Sequence, residues 1–315
     1  MLRVFGRVAS LAIVLALATG LVGCSQYGKL KAKQAFKEAN VLYAQQEYKR
    51  AAAFYEEAIT QDPELSVAYF YLANSYDNLF KPSRKGEPEN DGYLTKAIEF
   101  YTKASEKEQD PTLRKRSFEF LVAAYGPDKM NDPTQQEPIV NRMIQLDPQD
   151  ATNYFALAKI REDAGDYEKA EEVLVQAKQA RPNDPQVYLQ LAGFYNRQEE
   201  FEKTIEALNQ RAAIEPNNPE AFYTISTYYW DKAYRDFRLK EPEKREFVLK
   251  GIEQVDKALQ LKPDYMEALT YKNLLLRLQA NLEKDTAKQS ALLKEADKLR
   301  DQALDLQKKQ AAGIR

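Results

Sequence analysis

Residues 148–216 read PQDATNYFALAKIREDAGDYEKAEEVLVQAKQARPNDPQVYLQLAGFYNRQEEFEKTIEALNQRAAIEP. Pro148, Pro182 and Pro216 divide this stretch into two segments of equal length. Between the prolines, apolar residues recur at i, i+3, i+4 and i+7, which is the spacing of one face of an α-helix. The stretch therefore predicts two consecutive helix hairpins, each ended by a proline that cannot continue a helix.

The same residue types occupy matching positions in further copies along the chain. Small residues such as Ala158 and Ala192 allow two helix axes to approach closely, while aromatic and leucine side chains fill the space between adjacent hairpins. The approximate copies cover residues 32–65, 66–111, 114–150, 151–184, 185–218, 219–265 and 266–308, and we expect a tail over 309–315.

This pattern resembles the tetratricopeptide repeat (TPR), and the resemblance covers nearly all of the chain from residue 31 onward. It is most specific in residues 151–182 and 185–216 and weaker in residues 111–148. The resemblance implies an all-α fold, namely a right-handed α-solenoid (superhelix) of about seven TPR-like helix-turn-helix repeats. It also implies a concave groove that is lined mainly by the first helix of each repeat.

The second, sixth and last copies are longer than the others, whose length is set by the spacing of Pro148, Pro182 and Pro216. The extra residues 81–92 of the second copy are polar and predict a mobile loop. Those of the sixth copy include Tyr234 and Phe237 and favour lengthened helices with a tight corner. Hairpin tips tolerate insertions, so these extra residues need not have a function. The alternative interpretation is that residues 81–92 and 234–246 contact a partner.

Residues 1–23 are typical of an export signal that is removed from the mature protein. Arg3 and Arg7 precede an uncharged apolar run over residues 8–22, which is short for a helix that spans a membrane.

The end of this run resembles the bacterial lipoprotein signal, in which a cysteine is acylated after cleavage. The matching residues are Leu21-Val22-Gly23-Cys24, and the alternative is a plain signal peptide with an incidental cysteine. We expect a lipid on Cys24 and a short tether over residues 24–30, so that the protein is held at a membrane. In the lipoprotein family an aspartate directly after the cysteine often retains the protein at the inner membrane. Ser25 occupies that position, so the resemblance favours the outer membrane, facing the periplasm.

The composition offers little for catalysis. Histidine is absent and Cys24 is the only cysteine, which removes the commonest general base and multi-thiolate metal sites. The sequence also lacks a phosphate-binding glycine run and a nucleophile elbow. With 46 basic and 48 acidic residues, the net charge of −2 provides no field that would attract nucleic acid. We therefore expect no enzymatic activity, no cofactor, no metal and no nucleic-acid partner.

Groove-facing positions follow from the register of each first helix, at one, five and eight or nine residues after its packed aromatic residue. They form a mixed surface of aromatic, amide and charged side chains, which suits an extended peptide or a partner helix. The alternative is that each aromatic side chain only packs beneath a neighbouring helix. The candidate groove residues are Phe36, Asn40, Tyr43, Phe70, Asn74, Asp77, Phe155, Lys159, Leu189, Arg197, Tyr223, Thr227 and Trp230.

The sequence therefore favours a non-enzymatic, membrane-anchored lipoprotein scaffold. We expect it to bind envelope proteins or peptides in the groove and to assist assembly or localisation of an envelope complex, as in outer-membrane protein assembly, secretion, pilus or cell-wall machinery. The alternative is an architectural lipoprotein that self-associates through its repeat ends or helix tips. The last predicted helix of the chain, about residues 286–308, has apolar spacing that could form a coiled-coil seam for self-association or could cap the preceding hairpin.

Overall fold

The computed structural model describes residues 26–313, which form α-helices and one short 3₁₀ helix (Pro82–Arg84) and contain no strand. The all-α fold of consecutive TPR-like helix pairs is confirmed. The expected export signal and Cys24 lie outside the described residues. The helices are α1 (26–44), α2 (Tyr48–Gln61), α3 (Ser66–Leu79), α4 (Pro88–Lys107), α5 (Pro111–Ala124), α6 (Pro133–Leu146), α7 (Ala151–Asp163), α8 (Tyr167–Ala180), α9 (Pro185–Arg197), α10 (Phe201–Ile214), α11 (Pro219–Arg235), α12 (Glu241–Leu261), α13 (Met266–Asn281) and α14 (Thr286–Ala311).

The chain divides into two compact units, which meet in sequence between Asp166 and Tyr167. In the first unit, each helix from α2 to α7 packs against the next, and Ala39 and Leu42 of α1 join the same core. In the second unit, consecutive helices from α8 to α14 pack in the same way. Each unit therefore contains a run of helix hairpins, as the repeat pattern predicts.

A recurring hydrogen bond joins the start of a repeat to the proline that ends the previous one. The signature tyrosine of the first helix donates its hydroxyl to the carbonyl oxygen of the proline six residues earlier. This bond fixes the turn between hairpins and satisfies a phenol that would otherwise lack a partner. The pairs are Tyr69 with Pro63 at 3.1 Å, Tyr154 with Pro148 at 3.1 Å, and Tyr188 with Pro182 at 2.7 Å.

The insertion over residues 81–92 is more ordered than the sequence suggests. α4 begins at Pro88, so the second part of the insertion is helical. Asn90 is 2% exposed, and its amide accepts from the backbone N–H of Lys81 at 2.8 Å and donates to the Lys81 carbonyl at 3.1 Å. The expectation of a loop over the whole insertion is therefore wrong, because its second part is helical and one buried asparagine joins its two ends.

The expected tether also needs correction, because residues 26–30 belong to α1. Gly28 lies so close to the end of α2 that a Cβ atom would approach the Gln61 carbonyl oxygen to 2.9 Å. Because glycine has no side chain, this turn packs directly against the backbone of α2. Only residues 24 and 25 of the expected tether remain outside the described residues.

The sixth copy has lengthened helices and a tight corner, as its extra residues predict. α11 and α12 have 17 and 21 residues, and Asp236 follows α11 directly. The carboxylate of Asp236 accepts hydrogen bonds from the guanidinium and the backbone N–H of Arg238 and from Lys232, and these bonds hold its pKa well below its usual range. Beside this fixed corner, the side chain of Phe237 is 91% exposed.

The last helix caps the preceding hairpin. The apolar positions that suggested a coiled-coil seam pack against Leu269 and Leu276 of α13, so this seam is buried within the chain. The packed residues of α14 are Leu292, Ala296, Leu299, Ala303 and Leu306.

Gly251 lies where α12 crosses its neighbouring helices, and its replacement tests whether this crossing requires a small residue. A Cβ atom at Gly251 would lie 2.9 Å from the side chain of Leu275 and 3.2 Å from Cβ of Tyr229. We expect Gly251→Val to lower the free energy of unfolding by about 1–3 kcal/mol, because the added methyl groups overpack this crossing. Chemical denaturation measures the change. Gly92→Val is the control, since a Cβ atom there meets no other atom within 4 Å. Equal stability of the two variants would show that the crossing has spare room.

Candidate functional site

In the first unit, the candidate groove residues of α1 lie in an aromatic cluster with α2 and α3. Phe36 is half-buried, with its ring centroid 5.6 Å from that of Tyr55 and 6.1 Å from that of Tyr71. Tyr43 is also half-buried, and its ring centroid lies 5.6 Å from that of Tyr71. Asn40 is exposed and accepts a hydrogen bond from the Tyr55 hydroxyl at 2.6 Å.

Two candidates on α3 are buried, which corrects the expectation that they face an open groove. Phe70 is 5% exposed and packs against the rings of Tyr101 and Phe120. Asn74 is 7% exposed, accepts from the Tyr43 hydroxyl at 2.5 Å and donates to the Tyr101 hydroxyl at 3.0 Å. Their contacts are made within the chain, so these two residues stabilise the repeat.

Asp77 is also occupied within the first unit. Its side chain is 8% exposed and forms an ion pair with Lys129, which follows α5. The Tyr101 hydroxyl lies 3.5 Å from the other carboxylate oxygen, and burial raises the pKa of Tyr101. Asp77 therefore helps to fix the segment after α5 and is not available as an unpaired charge for a partner.

The α7 candidates lie outside this cluster. Phe155 is half-buried, and Lys159 is exposed and forms an ion pair with Asp163 on the next turn of the same helix. The structure thus brings together the candidates of α1 and α3, while Phe155 and Lys159 form a separate position on α7.

In the second unit, aromatic side chains of α11 and the start of α13 form a continuous row. The centroid distances are 5.2 Å from Tyr265 to Tyr223, 5.4 Å from Tyr223 to Tyr271 and 5.5 Å from Tyr271 to Trp230. Trp230 then stacks on Tyr234 at 4.9 Å with an interplanar angle of 11°. We call these five residues the α11 aromatic surface.

This surface differs from the aromatic residues around Phe70 in having one exposed member. Tyr234 is 59% exposed, and the other four side chains are half-buried. Burial, followed by the neighbouring hydroxyls of Tyr271 and Tyr265, raises the pKa of Tyr223 to about 12. Its hydroxyl therefore remains protonated at neutral pH and can donate a hydrogen bond. The surface combines apolar faces with polar edges that can bond to a partner.

A cleft of about 360 Å³ adjoins this surface. Tyr223 and Tyr271 line one side, and Arg300, Leu304 and Gln307 of α14 are among the residues that line the other. Leu304 is 45% exposed, so the cleft offers both apolar and hydrogen-bonding contacts. Its size is at the lower end of the range for small-molecule pockets, and it is open enough to accept one or two side chains.

The remaining second-unit candidates lie on α11 and α9. Thr227 is half-buried on α11, and its hydroxyl donates to the Thr224 carbonyl of its own helix at 2.7 Å. On α9, Leu189 is half-buried and Arg197 is exposed; the positive charge of Arg197 acts on Tyr228 of α11. The helix register found Tyr223 and Trp230 but missed Tyr265 and Tyr271.

Tyr265 and Tyr271 had a weak sequence signal. Tyr271 follows the packed Leu269 by two residues, whereas the groove register takes the positions one and five residues after it. Tyr265 precedes α13 as its N-cap residue, where the helix register does not apply. A broader criterion, which takes any aromatic residue near the predicted start of a first helix, includes both Tyr265 and Tyr271.

Within residues 26–313, no group of three or more His, Cys, Asp or Glu side chains is arranged to hold a metal ion. None of the helices in this range combines the length and hydropathy needed to cross a membrane.

Comparison with known proteins identifies the repeat type. Residues 132–189 and 162–225 match the tetratricopeptide repeat model. The solved C-terminal part of a TPR repeat-containing protein from Cytophaga hutchinsonii has a TM-score of 0.55 and 14% identity, over 86% of this chain and 98% of that one. No curated protein matches this chain in sequence.

Two further solved structures are similar over parts of the chain. MamA from Desulfovibrio magneticus has a TM-score of 0.40 and 17% identity, over 68% of this chain and 96% of that one. YrrB, described as a TPR protein with an unusual peptide-binding site, has a TM-score of 0.30 and 18% identity, over 75% of this chain and 88% of that one. The family match within residues 132–225 and the fold shared with the Cytophaga hutchinsonii protein show that this chain carries tetratricopeptide repeats in a TPR-like solenoid fold.

Proposed function

We propose that this protein is a non-enzymatic, lipid-anchored scaffold of the bacterial cell envelope that binds a protein or peptide on the α11 aromatic surface. The observation that carries the proposal is the row Tyr265–Tyr223–Tyr271–Trp230–Tyr234, whose side chains are half-buried or exposed beside a cleft. Tyr and Trp side chains are enriched among the residues that provide most of the affinity at protein interfaces.

The geometry of the surface favours a segment of polypeptide over a small ligand. The aromatic side chains form a row and do not enclose a cavity, so a ligand must be extended to contact several of them. They are also held in place by mutual ring contacts, which lowers the entropy lost when a partner binds. Polar side chains that line the cleft beside the row, such as Arg300 and Gln307, would then fix the register of the bound segment.

The location at the envelope rests on the sequence of the N-terminal segment, which lies outside the described residues. Cleavage before Cys24 and acylation of that cysteine would anchor the scaffold to a membrane, and Ser25 favours the outer membrane with the repeats facing the periplasm. In this location the scaffold would assist assembly or localisation of an envelope complex, such as the machinery for outer-membrane proteins, secretion, pili or the cell wall.

Removing two central side chains of the row should release the partner. We expect the double variant Tyr223→Ala and Trp230→Ala to lose the proteins that the unmodified chain captures from cross-linked cell envelopes, because truncation of a central aromatic contact typically costs about 2 kcal/mol or more. Quantitative mass spectrometry of the captured proteins measures the loss. The matched control is Tyr167→Ala, since Tyr167 is 49% exposed in the same unit but lies apart from the row. Unchanged capture by the double variant would contradict the assignment of the surface.

The lipid anchor has a separate test. We expect Cys24→Ala to abolish incorporation of labelled fatty acid and to release the protein from the membrane fraction on washing with high salt, because several acyl chains on one residue give firm anchoring. Metabolic labelling and fractionation measure both effects, and Ser25→Ala is the control. Persistent acylation of the Cys24→Ala variant would refute the assignment of Cys24.

A further inference from the structure

The first turns of α1 carry a concentration of positive charge without acidic residues. Residues 26–37 read QYGKLKAKQAFK and contain four lysines and no Asp or Glu. All four lysines are exposed, and none forms an ion pair with another described residue. They are Lys29, Lys31, Lys33 and Lys37.

Exposed apolar side chains lie among these lysines. Tyr27 is 60% exposed, Leu30 56% and Val41 46%, although α1 buries its opposite face completely at Ala32 and Ala39. Residues 27, 30, 34, 37 and 41 follow one another at steps of three and four, so they lie along one stripe of the helix. Lys31 Nζ also lies 4.9 Å from the centroid of the Tyr27 ring. The uncovered face of α1 thus carries Tyr27, Leu30, Lys37 and Val41 in one stripe, flanked by the other three lysines and by one acidic residue, Glu38.

This face is held in a fixed orientation on the first hairpin. The close approach of Gly28 to the Gln61 carbonyl fixes the first turn of α1 against the end of α2. The buried face of α1 packs into the core with Tyr55. The amphipathic face is therefore built into the folded hairpin and does not belong to a flexible tail.

We propose that this face of α1 binds an anionic lipid surface and lays the first hairpin along the membrane. This proposal deepens the proposed function and rests on its membrane location. Lysine side chains beside a membrane are attracted to anionic headgroups, while tyrosine and leucine enter the interfacial region. Cys24 lies two residues before Gln26, the first described residue of α1, so an acyl anchor at Cys24 would bring the face to the headgroups.

The length of the face sets the orientation of α1. At a rise of about 1.5 Å per residue, the stripe from Tyr27 to Val41 extends over about 20 Å. The attraction to lipid charge falls off within a Debye length, about 8 Å at physiological ionic strength. The four lysines, from Lys29 to Lys37, extend over about 12 Å, so all of them reach the headgroups together only when α1 lies nearly parallel to the membrane. The basic face would add an electrostatic attraction to the anchoring that the acyl chains on Cys24 provide.

An unlipidated chain of residues 25–315 tests this surface apart from the acyl anchor, since it contains every helix that the structure describes. We expect it to sediment with vesicles of phosphatidylcholine mixed with about 30% phosphatidylglycerol but not with vesicles of phosphatidylcholine alone. Binding should disappear at about 1 M salt, where the Debye length is about 3 Å. Absence of binding to the anionic vesicles, or equal binding to both kinds, would overturn the proposal.

Four substitutions assign the binding to this face. Lys29→Gln, Lys31→Gln, Lys33→Gln and Lys37→Gln together should weaken binding to the anionic vesicles about tenfold or more, since each lysine contributes to the attraction. The control makes the same change at Lys288, Lys294, Lys298 and Lys308, which are exposed on α14 among acidic residues. Glutamine is a good helix former, and circular dichroism checks that both variants remain folded.

The two proposals fail in different ways. Equal binding by the α1 and α14 variants would assign the attraction to net charge and overturn the role of α1. Loss of acylation at Cys24→Ala leaves this experiment unchanged, because its chain carries no lipid. Loss of partner capture by the variant of the α11 aromatic surface likewise has no bearing on vesicle binding.

Discussion

The close approach of paired helices is the constraint on which the rest of the structure depends. Where two helices cross, the contact positions hold alanine or glycine: Ala58, Ala97 and Ala104 are fully buried in the first unit, and Ala170 and Ala177 in the second. Side chains of this size let the backbones meet, so the larger aromatic residues must lie between hairpins or at the surface. At Gly251 even one methyl group would contact Leu275, which shows how little space the crossing leaves.

The same sequence pattern therefore has two outcomes in the two units. In the first unit, Tyr101 and Phe120 close over Phe70, and the amide of Asn74 joins the hydroxyls of Tyr43 and Tyr101. These contacts stabilise the repeat and bury Phe70 and Asn74. In the second unit, the longer α11 extends its aromatic side chains beyond the core, and Trp230 stacks on the exposed Tyr234. The surface that we propose for a partner therefore lies where aromatic residues exceed what packing can bury.

Periodicity allowed the fold to be predicted from the sequence, because helix faces and proline-ended hairpins are local features. The site was predicted only in part. The register found Tyr223 and Trp230, but their link through Tyr271 depends on α13, a neighbouring helix from the next repeat. The register along one helix also could not show that Phe120 covers Phe70, or that Gly28 packs on the Gln61 carbonyl, because these contacts come from other helices. Spacing along one helix reports which face a residue occupies, whereas burial depends on what the next hairpin supplies.

Contact of a partner with the α11 aromatic surface is measured most directly by site-specific photocrosslinking in living cells. A photoreactive amino acid in place of Trp230 should give a discrete adduct with another envelope protein. The same group in place of Glu206, an exposed residue of α10 away from the row, should not. No adduct from position 230, or the same adducts from both positions, would contradict the conclusion that these aromatic residues bind a partner.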